Sequence, residues 1–495
     1  MKMAQKSPIP GEIVKAVETI EKAGFQAFLV GGCVRDLFTG RIPRDWDITT
    51  NAHPEDIQKL FPKTVYENAF GTVAVIDEVT EDPTLRTIEV TPFRTESTYS
   101  NKRHPDAVTF SDKIEDDLKR RDFTVNAIAI NLSDGAIKDI VDLYGGFKDI
   151  KDKVIKAVGK PEDRFAEDAL RMMRAIRLSV EIDFEIEKLT SAAIQSLNSH
   201  IKEVSNERIR DEFTRIILSP NPKKGIELLH ETGLLQWIIP ELEKGLGVTQ
   251  TQAHSYDVWN HLLHSLQHAA DKKWPLDIRL AALFHDIAKP NTKAISRETG
   301  QATFYGHELI GSRETRKILE RLKFSREMID KVTRLVRWHM FFADTEQITL
   351  PAVRRMIVNV GKENIWDLMN VRVCDRIGMG RPKENPYRLR KYKAMIEEAL
   401  RDPISVTMLK IDGKRLMEVL KIKPGPKIGL ILHALLNEIL NEPKNNTADY
   451  LEKRSIELCS LDDAALKKLG EEGKEKRDEA DEKLVSEIRK RHNVS

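Results

Sequence analysis

Apolar side chains recur at helical spacing through residues 11–23 (GEIVKAVETIEKA), which predicts a helix stopped by Gly24. The pattern then changes. Phe28, Leu29 and Val30 form a continuous apolar run, as a buried strand does, and it breaks at Gly31-Gly32. A short amphipathic run with Arg35 and Asp36 follows, then a turn over Gly40 to Pro43. Residues 54–61 (PEDIQKLF) read as a short helix with proline in its first turn. Segments 71–77 (GTVAVID), 86–93 (RTIEVTPF) and 123–131 (FTVNAIAIN) read as strands, so residues 1–150 predict a mixed α/β unit. Beyond 151 the period is helical. Residues 161–178 (PEDRFAEDALRMMRAIRL) carry a stripe of Leu170, Met173 and Ile176, and 205–218 (SNERIRDEFTRIIL) start on a Ser/Asn cap. Residues 413–440 pair two helices across Pro424-Gly425-Pro426, and 462–495 alternate charge with almost no apolar face, predicting an exposed helix.

At 495 residues the chain is too long for one core, which predicts three or more domains. Its 80 Lys and Arg nearly balance 78 Asp and Glu, so any basic surface must be local. Cys33, Cys374 and Cys459 are far apart and odd in number, which fits a reducing cytoplasm and excludes a disulfide framework. The N-terminus has no apolar core of a signal peptide. The most apolar late stretch, 428–440, is broken by His433, Asn437 and Glu438. A soluble, cytoplasmic protein without a membrane partner is expected.

If Asp45 to Ile48 is extended, the period of two puts Asp45 and Asp47 on one face of a strand. Adjacent carboxylates are costly unless a cation neutralises them, so the spacing points to Mg²⁺. The paired glycines, Gly32 included, let backbone N–H groups approach an anion, and Arg35 adds a fixed positive fork. A metal carboxylate pair beside an anion cradle suits phosphoryl or nucleotidyl transfer. Each half is common alone, as a turn and as two solvated carboxylates. Together, in the order FLVGGCVRDLFTGRIPRDWDITT, they resemble the signature of the DNA polymerase β-like nucleotidyltransferases. More narrowly, they resemble the class II bacterial tRNA nucleotidyltransferases (CCA-adding enzymes) and the related poly(A) polymerases.

That resemblance extends through the next 170 residues or so in ordered motifs. Glu89 alternates with Ile88 and Val90 on a predicted strand; it reads as a third catalytic carboxylate or as an exposed strand Glu. Residues 94–116, with Arg94, Lys102 and Arg103, read as a surface loop or, on the resemblance, as the flexible loop needed to add the terminal A. RRDFTVNA (120–127) matches the second motif. There Arg121 suits a triphosphate, Asp122 suits a ribose hydroxyl, and Asn126 ties the strand to its neighbours. Gly145-Gly146 lies in a turn-rich connector comparable to the family's hinge between head and neck. Asp168, Arg171, Arg174 and Arg177 recur every third residue, and at 100° per residue Asp168 and Arg171 are neighbours while Arg177 points away. Two readings stand: an i,i+3 ion pair, or the family's protein template, in which an Asp acceptor and an Arg donor pair with cytosine or adenine. The resemblance makes Arg174 and Arg177 nucleotide or RNA contacts. It departs at Leu178, where the family usually has an aromatic residue. The 205–218 helix resembles the last shared motif, a prop for the templating helix.

A second constellation follows. Seven of the 13 histidines fall within residues 254–339, a clustering that calls for a reason beyond packing. The order His261, His285-Asp286, Asp375 resembles the HD phosphohydrolase superfamily, with His307 and His339 available for a second metal or a phosphate. Imidazole with carboxylate suits a divalent transition metal or Mg²⁺, which activates water against phosphoesters. A basic stretch at 381–393 reads as an RNA contact or a solvated loop. Lys421, Lys423 and Lys427 around the PGP turn are RNA contacts by resemblance.

The expected architecture is an α/β head of the polymerase β-like nucleotidyltransferase type followed by all-α neck, HD and tail domains. The expected boundaries are 1–150, 151–220, 221–380 and 381–495. The resemblance implies addition of C, C and A to tRNA from CTP and ATP with Mg²⁺, and accessory HD hydrolysis. The alternatives are an A-adding enzyme or poly(A) polymerase of the same family, or an HD phosphohydrolase whose head senses nucleotide.

Overall fold

A computed structural model describes residues 9–66, 71–96, 108–133, 135–250, 255–340, 349–401 and 406–493. The chain forms two compact units. One comprises Met1–His339 with Asn370–Arg381; the other comprises Met340–Met369 with Pro382–Ser495. The loop residues Lys102 and Arg103 lie outside the described residues.

The first unit begins with the predicted helix, Gly11–Lys22, whose Ile13, Val17 and Ile20 are buried. Among the described residues, nine strands of three or more residues follow: β1 Ala27–Val30, β2 Trp46–Thr50, β3 Thr64–Tyr66, β4 Val73–Ile76, β5 Thr87–Pro92, β6 Arg94–Glu96, β7 Val108–Phe110, β8 Ala129–Ser133 and β9 Ala136–Val141. Seven form one sheet in the order β3-β4-β5-β2-β1-β8-β9, and β6 and β7 make a separate ribbon. The one parallel pairing in the large sheet is β2 with β5, and its register sets Asp47 beside Glu89. Aligned residues of neighbouring strands project to the same face, so the two carboxylates share a surface.

Two predicted elements differ. Residues 123–131 are not one strand: Thr124–Asn126 form a 3₁₀ turn and β8 starts at Ala129. The apolar side chains Phe123 and Val125 are fully buried, which gives a strand-like pattern without a ladder. Residues 161–178 are two helices, Pro161–Glu167 and Leu170–Ile182, because Asp168 is extended (φ −142°, ψ 105°). No Gly or Pro marks that break, and the apolar stripe runs across it. The second helix packs on Asn206–Leu218.

Helices Val258–Asp271, Leu276–Phe284, His307–Arg321 and Arg326–Trp338 complete the first unit with the end of Ile365–Gly378. Gly378 permits the close approach of that last helix. A Cβ there would collide with Ser265 Oγ and the His261 carbonyl oxygen.

In the second unit, helices Gly413–Leu420, Pro426–Asn441, Ala448–Cys459 and Asp463–Arg491 surround a core that includes Leu416, Ile431, Leu435, Leu451, Leu458 and Leu466. The charged C-terminal helix is therefore not free in solvent, as its composition predicts. It packs along Pro426–Asn441, with Leu466 buried and Gly470 close to Leu430. Among the described residues no helix is long and apolar enough to cross a membrane.

Candidate active site and metal cluster

The first site lies where β1, β2 and the 3₁₀ turn meet. Gly31 has φ 83°, and a Cβ there would stand 3.0 Å from Asp47 Oδ2 and 3.2 Å from Arg121 Nη1. A side chain would thus fill the space between the carboxylate and the guanidinium, and only glycine keeps it open at that φ. Gly32 opens the helix Gly32–Phe38, in which Cys33 is buried. Burial, then the neighbouring Asp47 carboxylate, push the Cys33 thiol up to about 12, so it stays protonated. Burial also raises Asp47; Arg121 works against that shift, while Asp45 and Asp117 add to it. A second positive charge would relieve the crowding, and oxygen donors suit Mg²⁺. Asp45 lies in the bend just before β2 and is exposed. The oxygens of Asp45, Asp47 and Glu89 are not gathered as tightly as the donors of the second site.

Arg35 is anchored by three of its N–H donors: Nε and Nη2 donate to Asp36 Oδ1 (3.0 and 2.8 Å) and Nη1 to Asn126 Oδ1 (2.8 Å). Asn126 in turn donates to Asp122 Oδ1 (3.2 Å), so it ties a 3₁₀ turn together and not, as expected, a strand to its neighbours. Arg121 is aimed by Asp117, a fully buried carboxylate that accepts from its Nε (3.1 Å) and Nη2 (2.8 Å) and also from Arg120. Sequence reasoning passes over Asp117, although its i,i+3 and i,i+4 spacing to two arginines is a legible signal.

Helix Leu170–Ile182 joins this site through arginines. Arg174 Nε and Nη2 donate to Asp122 Oδ2 (2.8 and 2.6 Å), and Arg171 Nη2 donates to the Arg120 carbonyl (3.2 Å). The i,i+3 pair of Asp168 with Arg171 does not form. Arg171 pairs with Glu167 (2.6 Å), and Asp168 pairs with Arg208 (2.7 Å) on the helix Asn206–Leu218. Arg177 is 3% exposed and paired with Glu212 (2.7 Å) and Glu181 (3.3 Å). Lys421 and Lys423 are exposed and Lys427 is half-buried, around the turn between helices Gly413–Leu420 and Pro426–Asn441 of the second unit.

The second site gathers all six residues singled out by their order. His261, His285, Asp286 and Asp375 form one donor group; Asp286, His307 and His339 form another, and all are buried. Three rings are held alike: Nδ1 of His285, His307 and His339 donates to the carbonyl three residues earlier (Ala282, Phe304 and Val336; 2.9, 2.6 and 2.7 Å). That bond fixes the tautomer, so each neutral ring turns its Nε2 lone pair inward. His285 Nε2 then lies 2.9 Å from His261 Nε2, a distance at which the two nitrogens require a shared proton or cation. Asp286 Oδ2 is 3.1 Å from His261 Nε2, and Oδ1 is 3.1 Å from His307 Nε2. Asp286 Oδ1, His307 Nε2 and His339 Nε2 are buried without a hydrogen-bond partner, which a divalent cation would satisfy. Burial alone would lower His285, but Asp286 and Asp375 outweigh it and raise the imidazole to about 9. Both carboxylates are held well below their usual range despite burial, Asp286 chiefly by Lys289 and Asp375 chiefly by Arg372. Buried Lys289 places Nζ 2.6 Å from Asp286 Oδ2 and is another residue the sequence reading missed.

Residues 27–156 match the family described as the poly A polymerase head domain. Residues 183–246 match an RNA- and SrmB-binding site of polymerase A, and 304–454 match tRNA nucleotidyltransferase domain 2. The CCA-adding enzyme of Streptococcus thermophilus is 35% identical over 343 residues, 65% of this chain and 83% of that protein. That of Lactobacillus helveticus is 42% identical over 236 residues, 47% of this chain and 57% of that protein. The chain thus spans little more than half of the Lactobacillus relative. Its fold is similar to the crystal structure of the Bacillus stearothermophilus CCA-adding enzyme in complex with CTP, at TM-score 0.58 and 27% identity, over 92% of this chain and 98% of that one.

Proposed function

The chain belongs to the family of CCA-adding enzymes, and from that premise we propose that it adds C, C and A to the 3′ end of tRNA. The substrates are CTP and ATP, no nucleic-acid template is used, and pyrophosphate leaves. The observation that carries this reading is the junction of head and neck. Arg171 and Arg174 of the neck are hydrogen-bonded to Arg120 and Asp122, within reach of the Gly31–Asp47–Arg121 space. The candidate base-reading residues are therefore tied through Arg120 and Asp122 to the segment that carries Arg121.

In this account Gly32, Arg35 and Arg121 hold the triphosphate, and Asp122 accepts a hydrogen bond from the ribose 2′-hydroxyl. Asp168 and Arg171 pair with the base. Arg174 fixes Asp122, and buried Arg177 fixes the neck through Glu212. Asp45 and Asp47, with Glu89 as the third carboxylate, supply hard oxygen donors for Mg²⁺, which when bound acidifies the primer 3′-hydroxyl and braces the α-phosphate. Residues 1–150 act as head, 151–220 as neck, 221–380 as the helical body with the histidine cluster, and 381–495 as the tail. In the tail, Lys421, Lys423 and Lys427 contact tRNA phosphates by shape and not sequence. A tRNA substrate supports a cytoplasmic location.

Incorporation of labelled CTP into tRNA lacking its 3′ end tests the assignment. Wild type should incorporate and Asp47→Ala should not, at unchanged thermal stability. Equal incorporation by both would remove the head from the chemistry.

A second reading is favoured by its own observation, the two donor groups that share Asp286. We propose that this cluster holds one or two divalent cations and hydrolyses phosphoesters as an accessory activity. Histidine and carboxylate donors suit Mn²⁺, Co²⁺, Ni²⁺ or Mg²⁺, which when bound supplies an activated water. Release of phosphate from a 3′-phosphorylated or 2′,3′-cyclic RNA end, lost in His285→Ala and retained in Asp47→Ala, is the expected result.

A further inference from the structure

Tyr256 stands just before helix Val258–Asp271, whose first turn supplies His261 to the histidine cluster. Its ring lies against the imidazole of His264, with centroids 4.4 Å apart and planes 24° apart. His264 is held in turn by Lys223, whose Nζ donates to Nε2 (3.3 Å). Burial, then Lys223 and His261, hold His264 below its ordinary value, so the ring is neutral at pH 7. The tyrosine is thus fixed on one face while it stays 38% exposed, an aromatic plane in place before any ligand arrives.

Two connections set that plane beside the cluster. Gln250 donates from Nε2 to the Tyr256 carbonyl (3.2 Å) and accepts from Lys289 (2.7 Å), whose Nζ also reaches Asp286 (2.6 Å). On the other side, the chain leaving helix Ile365–Gly378 passes closely: a Cβ on Gly380 would stand 3.6 Å from Tyr256 Cε2. That helix brings Asp375 to the cluster, and at about 100° per residue Arg372 and Arg376 fall on the same side as Asp375. Burial pushes Arg376 down, and the like charges of Arg381 and Arg372 push the same way against Asp375. Arg381, directly after Gly380, is exposed. Positive charge therefore gathers where an aromatic plane and a set of metal donors meet.

We propose that Tyr256, Arg376 and Arg381 form a nucleotide subsite of the histidine cluster, in which the ring stacks on a base and the guanidiniums pair with its phosphates. The inference rests on the reading of the cluster as a phosphoester hydrolase, and it names which part of the substrate is held and by what. A site for inorganic phosphate or a small sugar phosphate has no use for an exposed aromatic plane. Every base has a π-face, so stacking selects nucleotides as a class without reading sequence. Arginine forks match phosphate oxygens in pairs. A free nucleotide and the end of an RNA strand share this chemistry and differ in how many phosphates they bring.

The test compares hydrolysis of ribose 5-phosphate, adenosine 3′-monophosphate and a short oligoribonucleotide with a 3′-phosphate, all with Mn²⁺ present. It uses wild type, Tyr256→Ala, Tyr256→Phe and Arg381→Gln, with melting temperatures for each. Tyr256→Ala should raise KM for the two base-bearing substrates by about tenfold or more at similar kcat, and so lower their kcat/KM relative to ribose 5-phosphate. Tyr256→Phe should keep the preference, since it keeps the ring. Arg381→Gln should raise KM, most for the oligoribonucleotide if the substrate is an RNA end and equally for both if it is a free nucleotide. An unchanged KM there contradicts the phosphate contact. A loss in Tyr256→Ala that is equal for all three esters means a packing role and overturns the inference. If Tyr256→Ala melts early, Tyr256→Leu, which keeps bulk without a π-face, decides by the same comparison. If wild type hydrolyses none of the three, the hydrolase reading fails, and calorimetry with adenosine 3′-monophosphate decides the subsite. Binding weakened about tenfold in Tyr256→Ala supports it; no binding, or equal binding, overturns it.

Discussion

Arg174 grips Asp122 through Nε and Nη2 on a single carboxylate oxygen, at 2.8 and 2.6 Å, across 52 residues of sequence. The other oxygen of Asp122 serves the Phe123 N–H and Asn126. One buried carboxylate thereby joins helix Leu170–Ile182 to the turn Thr124–Asn126. Burial would raise Asp122, but Arg174 and Arg171 hold it well below the usual carboxylate range. Removing Arg174 leaves that charge underpaired. Arg174→Ala should cost roughly 2–3 kcal/mol, the loss of a hydrogen bond to a charged group. Urea unfolding of Arg174→Ala, Asp122→Asn and the double variant measures the coupling; additivity within about 0.5 kcal/mol would show that the pair does not act as one.

Asp117 gives a pH dependence with a definite sign. Burial opposes its ionisation, yet Arg120 and Arg121 hold it down from the ordinary 3.8 to about 2. A depressed folded pKa contributes stability above the unfolded value and loses it as pH falls through the folded one. The contribution is on the order of 2 kcal/mol. The stability gap between wild type and Asp117→Asn should be full at pH 6 and narrow between about 4 and 2. A gap independent of pH would exclude this role for the carboxylate.

The histidine cluster predicts metal stoichiometry. Asp286 faces both donor groups, whereas Asp375 belongs to one and His339 to the other. Titration with Mn²⁺ followed by calorimetry should find up to two sites in wild type, fewer in Asp375→Ala or His339→Ala, and none in Asp286→Ala. Bound metal should raise the melting temperature, and a chelator should reverse the rise. Undiminished binding in Asp286→Ala would contradict the shared-ligand arrangement.

Gly145 and Gly146 separate two kinds of glycine requirement. A Cβ on Gly146 would overlap the Thr124 carbonyl, so Gly146→Ala must displace the turn below Asp122. Gly145 has open space but φ 75°, so Gly145→Ala meets only backbone strain. Expected costs are about 1–3 kcal/mol for the first and about 1–2 kcal/mol for the second. Gly146→Ala should also raise KM for CTP, which Gly145→Ala should leave near wild type.

The parts legible in sequence are those written in local residue order. The Gly31-Gly32 break falls between β1 and the helix Gly32–Phe38, and the fold brings the histidines together as their order implies. What escaped depends on contacts distant in sequence or on breaks without a breaker. Asp168 interrupts a helix whose apolar stripe is continuous, so periodicity alone runs through it. Arg208 looks like one charge among several on an amphipathic helix until packing sets it on Asp168. The C-terminal helix reads as exposed because few positions are apolar, yet Leu466 and Ile488 are buried and Gly470 lies close to Leu430.

The most direct test of the central claim uses tRNA transcripts ending before CCA, after C and after CC, each given CTP, ATP or both. Products are read at single-nucleotide resolution. Completion of CCA from all three ends, followed by a stop, is the predicted result. A added only to the CC end, a long A ladder, or no addition at all would contradict it.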